Sequence, residues 1–195
     1  MAHHLARLLA ALGTALAASA AYAQFDGVFF GAGIGLYKAT IEVPDAFTFG
    51  NDKHMAGLNL AAGYARSYGR FNLAGEARYA NEVGKVDVSA VSASAKLQNA
   101  WSLSVLPGYK FGDATLVFGR LGYARAELSG NFLDPDSSKT HTGWVWGLGA
   151  KGAFSRNLSL TVEYQFYDLK REDYPINGPL QPASTGIVIG VQYAL

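Results

Sequence analysis

The last twelve residues, Ser184–Leu195, read STGIVIGVQYAL. Ile187, Ile189, Val191, Tyr193 and Leu195 fall on one face of an extended chain, and Val188, Gly190, Gln192 and Ala194 fall on the other. A period of two makes this a strand. One face is large and apolar and carries a tyrosine. The other is small, with a single amide. A half-solvated sheet would place charge opposite its apolar row. Here the large row suits lipid and the small row suits the interior of a narrow barrel.

Working outward, the same alternation recurs in Gly27–Lys38, His54–Arg66, Phe71–Glu82, Lys96–Phe111, Thr115–Leu128, His141–Phe154 and Leu158–Lys170. With the terminal segment these make eight strands. Val28, Phe30, Ile34 and Leu36 oppose Gly31, Gly33 and Gly35. Leu97, Trp101, Leu103 and Val105 oppose Gln98, Ser102 and Ser104. Trp144, Trp146 and Leu148 oppose Gly143, Gly147 and Gly149. Pro107 removes a ladder donor, and the expectation is a bulge there. Ser67–Arg70, Gly112–Ala114 and Ser155–Asn157 read as tight turns. Ala39–Lys53, Val83–Ala95, Ser129–Thr140 and Arg171–Ala183 read as long loops, and they hold five of the six prolines. Tight turns on one rim and long loops on the other belong to an all-β, eight-stranded antiparallel up-and-down transmembrane β-barrel. A lipocalin-type soluble barrel is the alternative, and it would carry its large apolar side chains inside.

Composition agrees. The 195 residues hold 23 glycines and no cysteine; aromatics reach 13% and charged residues only 16%. After residue 23 no apolar run approaches the roughly 20 residues of a membrane helix. Residues 1–23 read as a signal peptide. Arg7 opens a weakly basic start, Leu8–Ala18 is apolar, and Ala21-Tyr22-Ala23 has the small-x-small form of a cleavage site. Residues 24–195 are then the barrel domain. Removing Arg7 from the 16 basic residues leaves them equal in number to the 15 acids. A neutral chain does not suit a nucleic-acid partner, which needs a basic face.

Among the inward positions are Glu76, Arg78, Arg120, Lys151 and Glu163. Glu76, Arg120 and Glu163 each lie five residues beyond the start of a strand that leaves the turn rim, so they reach similar depth. Eight strands leave a lumen just wide enough for side chains, so these charges must pair. A salt-bridge plug is the plain reading; a switchable gate is the sharper one. On the outward face, Tyr64, Trp101, Phe111, Tyr123, Trp144, Trp146, Phe154, Phe166 and Tyr193 read as aromatic girdles.

Arg120-Leu121-Gly122-Tyr123, Glu163-Tyr164-Gln165 and Gly27-Val28-Phe29-Phe30-Gly31-Ala32-Gly33 are similar to segments of OmpA-like transmembrane domains and the small opacity/porin-family barrels. The C-terminal row Ile187, Ile189, Val191, Tyr193 and Leu195 resembles that group's assembly signal, which usually ends in Phe; this chain ends in Leu195. The resemblance implies a small outer-membrane protein with a charged internal network and exposed loops, exported through the Sec pathway. It also implies outer-membrane lipid, lipopolysaccharide and the barrel assembly machinery as partners. No cofactor is expected.

Rival functions leave weaker traces. Gly147–Gly152 fits G-x-G-x-x-G, but it lies in a strand with no helix to follow. His54 and His141 stand on different strands, short of a metal cluster. A lipid A-modifying enzyme is the serious catalytic alternative. It resembles His-x-Ser on a lipid-facing strand, whereas this chain has His141-Thr142-Gly143. A narrow diffusion channel also remains open, as does a surface partner held by Phe47, Phe49, Phe132 and Tyr174. Mature protein should begin at Gln24. N-terminal sequencing of envelope material tests this, and an intact 1–23 segment in outer-membrane fractions contradicts it.

Overall fold

A computed structural model describes residues 25–43, 47–50, 54–88, 93–130, 138–174 and 178–195. The described elements are β1 (Gly27–Val43), β2 (Phe47–Gly50), β3 (Met55–Tyr68), β4 (Phe71–Val88), β5 (Ala93–Phe111), β6 (Thr115–Gly130), β7 (Lys139–Ala153), β8 (Leu158–Leu169), β9 (Glu172–Tyr174) and β10 (Gly178–Ala194). The short β2 and β9 pair with β1 and β10. The other eight form an antiparallel meander that closes on itself through β1 and β10. That seam runs from Phe29 opposite Ala194 to Glu42 opposite Gln181. The signal-peptide segment lies outside the described residues.

The pairing carries a stagger. From Phe29 the ladder passes through Gly63, Glu76, Ser104, Gly122, Val145, Tyr167 and Ser184, and returns to β1 at Ala39. One circuit therefore gains ten residues, from 29 to 39. Such a shear tilts the strands and, with strand number, sets the width of the lumen.

The faces divide as in a lipid-facing barrel. Ile34, Leu103 and Leu148 are 59%, 71% and 70% exposed, while Glu76, Arg120 and Glu163 are buried. This inverts the soluble lipocalin-type arrangement. At the turn rim, Tyr68 pairs directly with Phe71 and Phe111 with Thr115 across a three-residue turn. Gly69 and Gly112 supply the left-handed φ of 62° and 69° that these turns need. The start of β1 and the end of β10 meet this rim as well: Ala194 donates to the Asn157 carbonyl and Leu195 to that of Val28.

Several sequence expectations are corrected. The strands run further at the loop rim, so most of Val83–Ala95 and Arg171–Ala183 is strand, not loop. Leu97 points inward, not outward with Trp101. The cause is an extra residue between Gln98 and Trp101, where Asn99 takes φ of 50°. Asparagine tolerates that region, and the insertion flips the parity of everything beyond it. The facing strand has its own irregularity between Glu82 and Gly84, which turns Val83 inward. Pro107 makes no bulge: Val105 opposite Leu121 and Gly108 opposite Phe118 keep one register across it. Phe154 lies just past β7, exposed in the turn.

Inside, large rings lie where glycines leave room. The Tyr37 ring covers Gly35 and Gly186 so closely that a Cβ at either position would collide with it. Beneath the charged level sit Phe29, Leu106 and Phe118. Phe25 reaches across the turn-rim mouth to Leu116 and Ala153 on the opposite wall. Above it Tyr37 and Tyr167 meet edge to face at 6.3 Å, followed by Val83, Val86, Leu97, Leu128 and Leu169.

The outward face generates a test. Ile34→Arg, near the middle of the apolar belt, should destabilise the barrel by about 2–4 kcal/mol, whereas Ser129→Arg, near the loop end of β6, should lose far less. Folding titrations in lipid vesicles measure both, and equal losses would contradict the assignment of faces.

Candidate functional site

Alternation brings Glu76 and Arg78 inward on β4, Arg120 on β6, Lys151 on β7 and Glu163 on β8. The stagger then sets their depths against one another. Four of the five form a closed ring of alternating charge. Arg120 Nη2 lies 2.7 Å from Glu76 Oε1, and Arg78 Nε lies 2.9 Å from the same oxygen. Arg78 Nη2 is 3.1 Å from Glu163 Oε2, and Arg120 Nε closes the ring on Glu163 Oε1. Each carboxylate thus binds both guanidiniums. All four side chains are at most 7% exposed. A buried charge is very unfavourable when alone and tolerable when hydrogen-bonded to its opposite. The planar guanidinium fork lets one arginine serve two carboxylates, which a lysine cannot reproduce.

Lys151 stands beside the ring. Its Nζ donates to Gln192 Oε1 at 2.7 Å and sits 4.9 Å and 5.1 Å from the ring centroids of Phe29 and Phe118. An amide and two aromatic faces hold it instead of a carboxylate. Sequence reasoning passed over Gln192 and the tyrosine level above the ring. Tyr37 donates to Asn59 Oδ1 at 2.8 Å, and Tyr167 donates to Gln165 Oε1 at 3.4 Å. Inward tyrosines and amides on alternating strands were the available signal.

The outward residues also fall into place. Tyr64, Trp101, Phe111, Tyr123, Trp144, Trp146, Phe154 and Tyr193 are all exposed on the outer wall. Phe166 is half-buried because Trp146 stacks on it at 3.9 Å. Tyr123 meets Trp144 at 6.1 Å, and Tyr79 joins Trp101 at 4.8 Å. Ile187, Ile189, Val191, Tyr193 and Leu195 form one exposed row along β10. Phe47, Phe49 and Tyr174 belong to β2 and β9, and Phe132 lies outside the described residues.

Little here resembles a catalytic centre. Among the described residues no group of His, Asp and Glu is placed to hold a metal. His141 is buried, its Nδ1 3.0 Å from the Lys170 carbonyl, so it does not face lipid beside a serine. Gly147 and Gly149 belong to β7, and no helix follows among the described residues.

A closed barrel with lipid-facing aromatics outside and paired charges inside is the architecture of one group of proteins. The model of the outer membrane protein beta-barrel domain matches residues 8–194. The chain belongs to that outer-membrane β-barrel family. The solved structure of neisserial surface protein A is similar, with a TM-score of 0.54 and 16% identity over 87% of this chain and 97% of that one. The outer membrane protein OprG from Pseudomonas aeruginosa is similar too, at a TM-score of 0.52 and 13% identity, covering 88% and 97%. At these identities the likeness concerns the fold. No curated protein matches the sequence closely. The outer-membrane location accounts for both faces of the wall, since lipid has no water to solvate an open strand edge or an outward charge.

The ring of this outer-membrane barrel can be tested by charge balance. Arg120→Ala leaves two buried carboxylates to share one guanidinium and should destabilise by about 3–5 kcal/mol. Because Arg78 completes the ring, the neutral replacement needs four changes: Glu76→Gln, Arg78→Met, Arg120→Met and Glu163→Gln. Urea titration of the refolded barrel should show this quadruple variant losing much less than the sum of its single changes. Simple additivity would mean that these side chains do not meet.

Proposed function

We propose that this outer-membrane protein is a closed, non-catalytic structural barrel that presents its loop rim to the surroundings of the cell. The observation that carries the reading is the triple filling of the lumen. The Phe25, Leu116 and Ala153 contact crosses the turn-rim mouth. The ion ring fills the middle, and the apolar level of Val83, Val86, Leu97, Leu128 and Leu169 fills the part towards the loops. Conduction needs either a lining that replaces an ion's hydration shell or a constriction that can wet. Stacked apolar, charged and apolar levels supply neither. A gate made of salt bridges alone would also leave the apolar levels shut.

In this reading both chain ends and the tight turns face the periplasm, and the four connections of the other rim face outward. Outer-membrane lipid contacts the belt between the girdles, with lipopolysaccharide against the loop-side aromatics Trp101, Tyr123, Trp144 and Trp146. The β10 row from Ile187 to Leu195 is the segment offered to the assembly machinery. A surface partner would meet the loop rim. Catalysis on lipid would need a nucleophile and base together on the outer wall, and the inward His141 does not provide the base.

Planar-bilayer recording of the purified barrel tests the reading. Wild type should show conductance near zero. Arg120→Ala should lose stability and still fail to conduct, because the apolar levels remain. Discrete openings in wild type would establish the diffusion-channel alternative instead.

A further inference from the structure

The ion ring leaves a remainder of charge and of hydrogen bonding, both in the same direction. The buried charged side chains among the described residues are Arg78, Arg120 and Lys151 against Glu76 and Glu163. Three cations and two carboxylates leave one positive charge in excess. Nη1 of Arg78, Nη1 of Arg120 and Nε2 of Gln165 are buried without a partner, as are the hydroxyls of Ser104 and Thr161. The three nitrogens can only donate, and the hydroxyls can also donate. Both oxygens of Glu163 and Oε1 of Glu76 are already taken by the arginines. The level holds unpartnered donors and one positive charge in excess.

Space lies beside it. A cavity of about 30 Å³ is lined by Arg78, Lys151, Thr161, Gln192, Asn59 and Glu76. Arg78 and Thr161, which carry two of the unpartnered atoms, line it. On one side its wall is the β1–β10 seam, where Gly33 and Gly190 pair directly and leave a gap between the inward side chains of Val188 and Gln192. The volume suits roughly two water oxygens or one monatomic ion.

We propose that this cavity binds one small monovalent anion of the halide class, held by the Arg78 guanidinium, the Lys151 ammonium and the Thr161 hydroxyl. Water alone would satisfy the donors and leave the charge, whereas an anion answers both. Glu76 borders the same space with its Oε1 engaged by both guanidiniums. The inference rests on the closed-lumen reading, because a lumen open to bulk solvent would need no fixed counter-ion.

Equilibrium unfolding of the refolded full-length barrel in urea, with chloride replaced by gluconate at constant sodium, reads the site directly. An ion bound only by the folded state lowers the unfolding constant about tenfold for each tenfold rise in chloride above its dissociation constant. Lys151→Met, which brings the lumen to neutrality, should abolish that slope. Thr161→Val should move its onset to higher chloride, and this variant with wild type carries the test if Lys151→Met does not refold. Crystals grown in sodium bromide should show one anomalous peak between Arg78 and Thr161. Equal unfolding midpoints in chloride and gluconate would overturn the inference, as would bromide at surface positions only with water in the cavity. Failure of the closed-lumen reading shows itself separately, as conductance of wild type in bilayers.

Discussion

Everything in this molecule depends on closing the backbone ladder. Inside a bilayer no water is available to an unpaired N–H or C=O, and each one left open is worth several kcal/mol. The pairing of β1 with β10 removes the last free edge. Closure with eight strands and a stagger of ten residues then sets a lumen no wider than interdigitated side chains. The small inward residues follow from that width. Gly35 and Gly186 are needed because the Tyr37 ring lies on them, and Gly33 and Gly190 because their strands approach at the seam. Every inward side chain is chosen against its neighbours across the barrel, not merely along its own strand.

The charged level is a consequence of the same geometry. Four strands contribute the buried charges, so no local interaction could assemble them. Replacing such a ring with apolar groups is often neutral or stabilising in soluble proteins, while breaking it is severe. Its pairing depends on register. A slip of two residues on β6 would keep every face correct yet carry Arg120 past Glu76 and Glu163. The same slip would also carry the Phe118 ring away from Gly149, which leaves it room.

The outer wall obeys a different solvent. Its large side chains need only be apolar in the belt and amphipathic at the margins, so exposed Leu103 and Leu148 are at home. Aromatic contacts on the loop side, such as Trp146 on Phe166, order side chains that lipid alone would leave free.

Period-two alternation is a local property, so the strands, their two faces and the turn rim were legible in the residues themselves. Glu76, Arg120 and Glu163 were legible as companions because their distance from the turn rim can be counted along each strand. Register is not local. Only the closed ladder decided that Arg78 completes the ring and that Lys151 turns to Gln192 and two phenyl faces instead. The bulge at Asn99 and the extra residue at Val83 reversed the faces beyond them, because one inserted residue exchanges inside for outside. The apolar level formed by Val83, Leu97 and their neighbours was hidden from the alternation for that reason. Phe25 across the turn-rim mouth was hidden too, since its partners Leu116 and Ala153 lie far along the chain and meet it only when the barrel is closed.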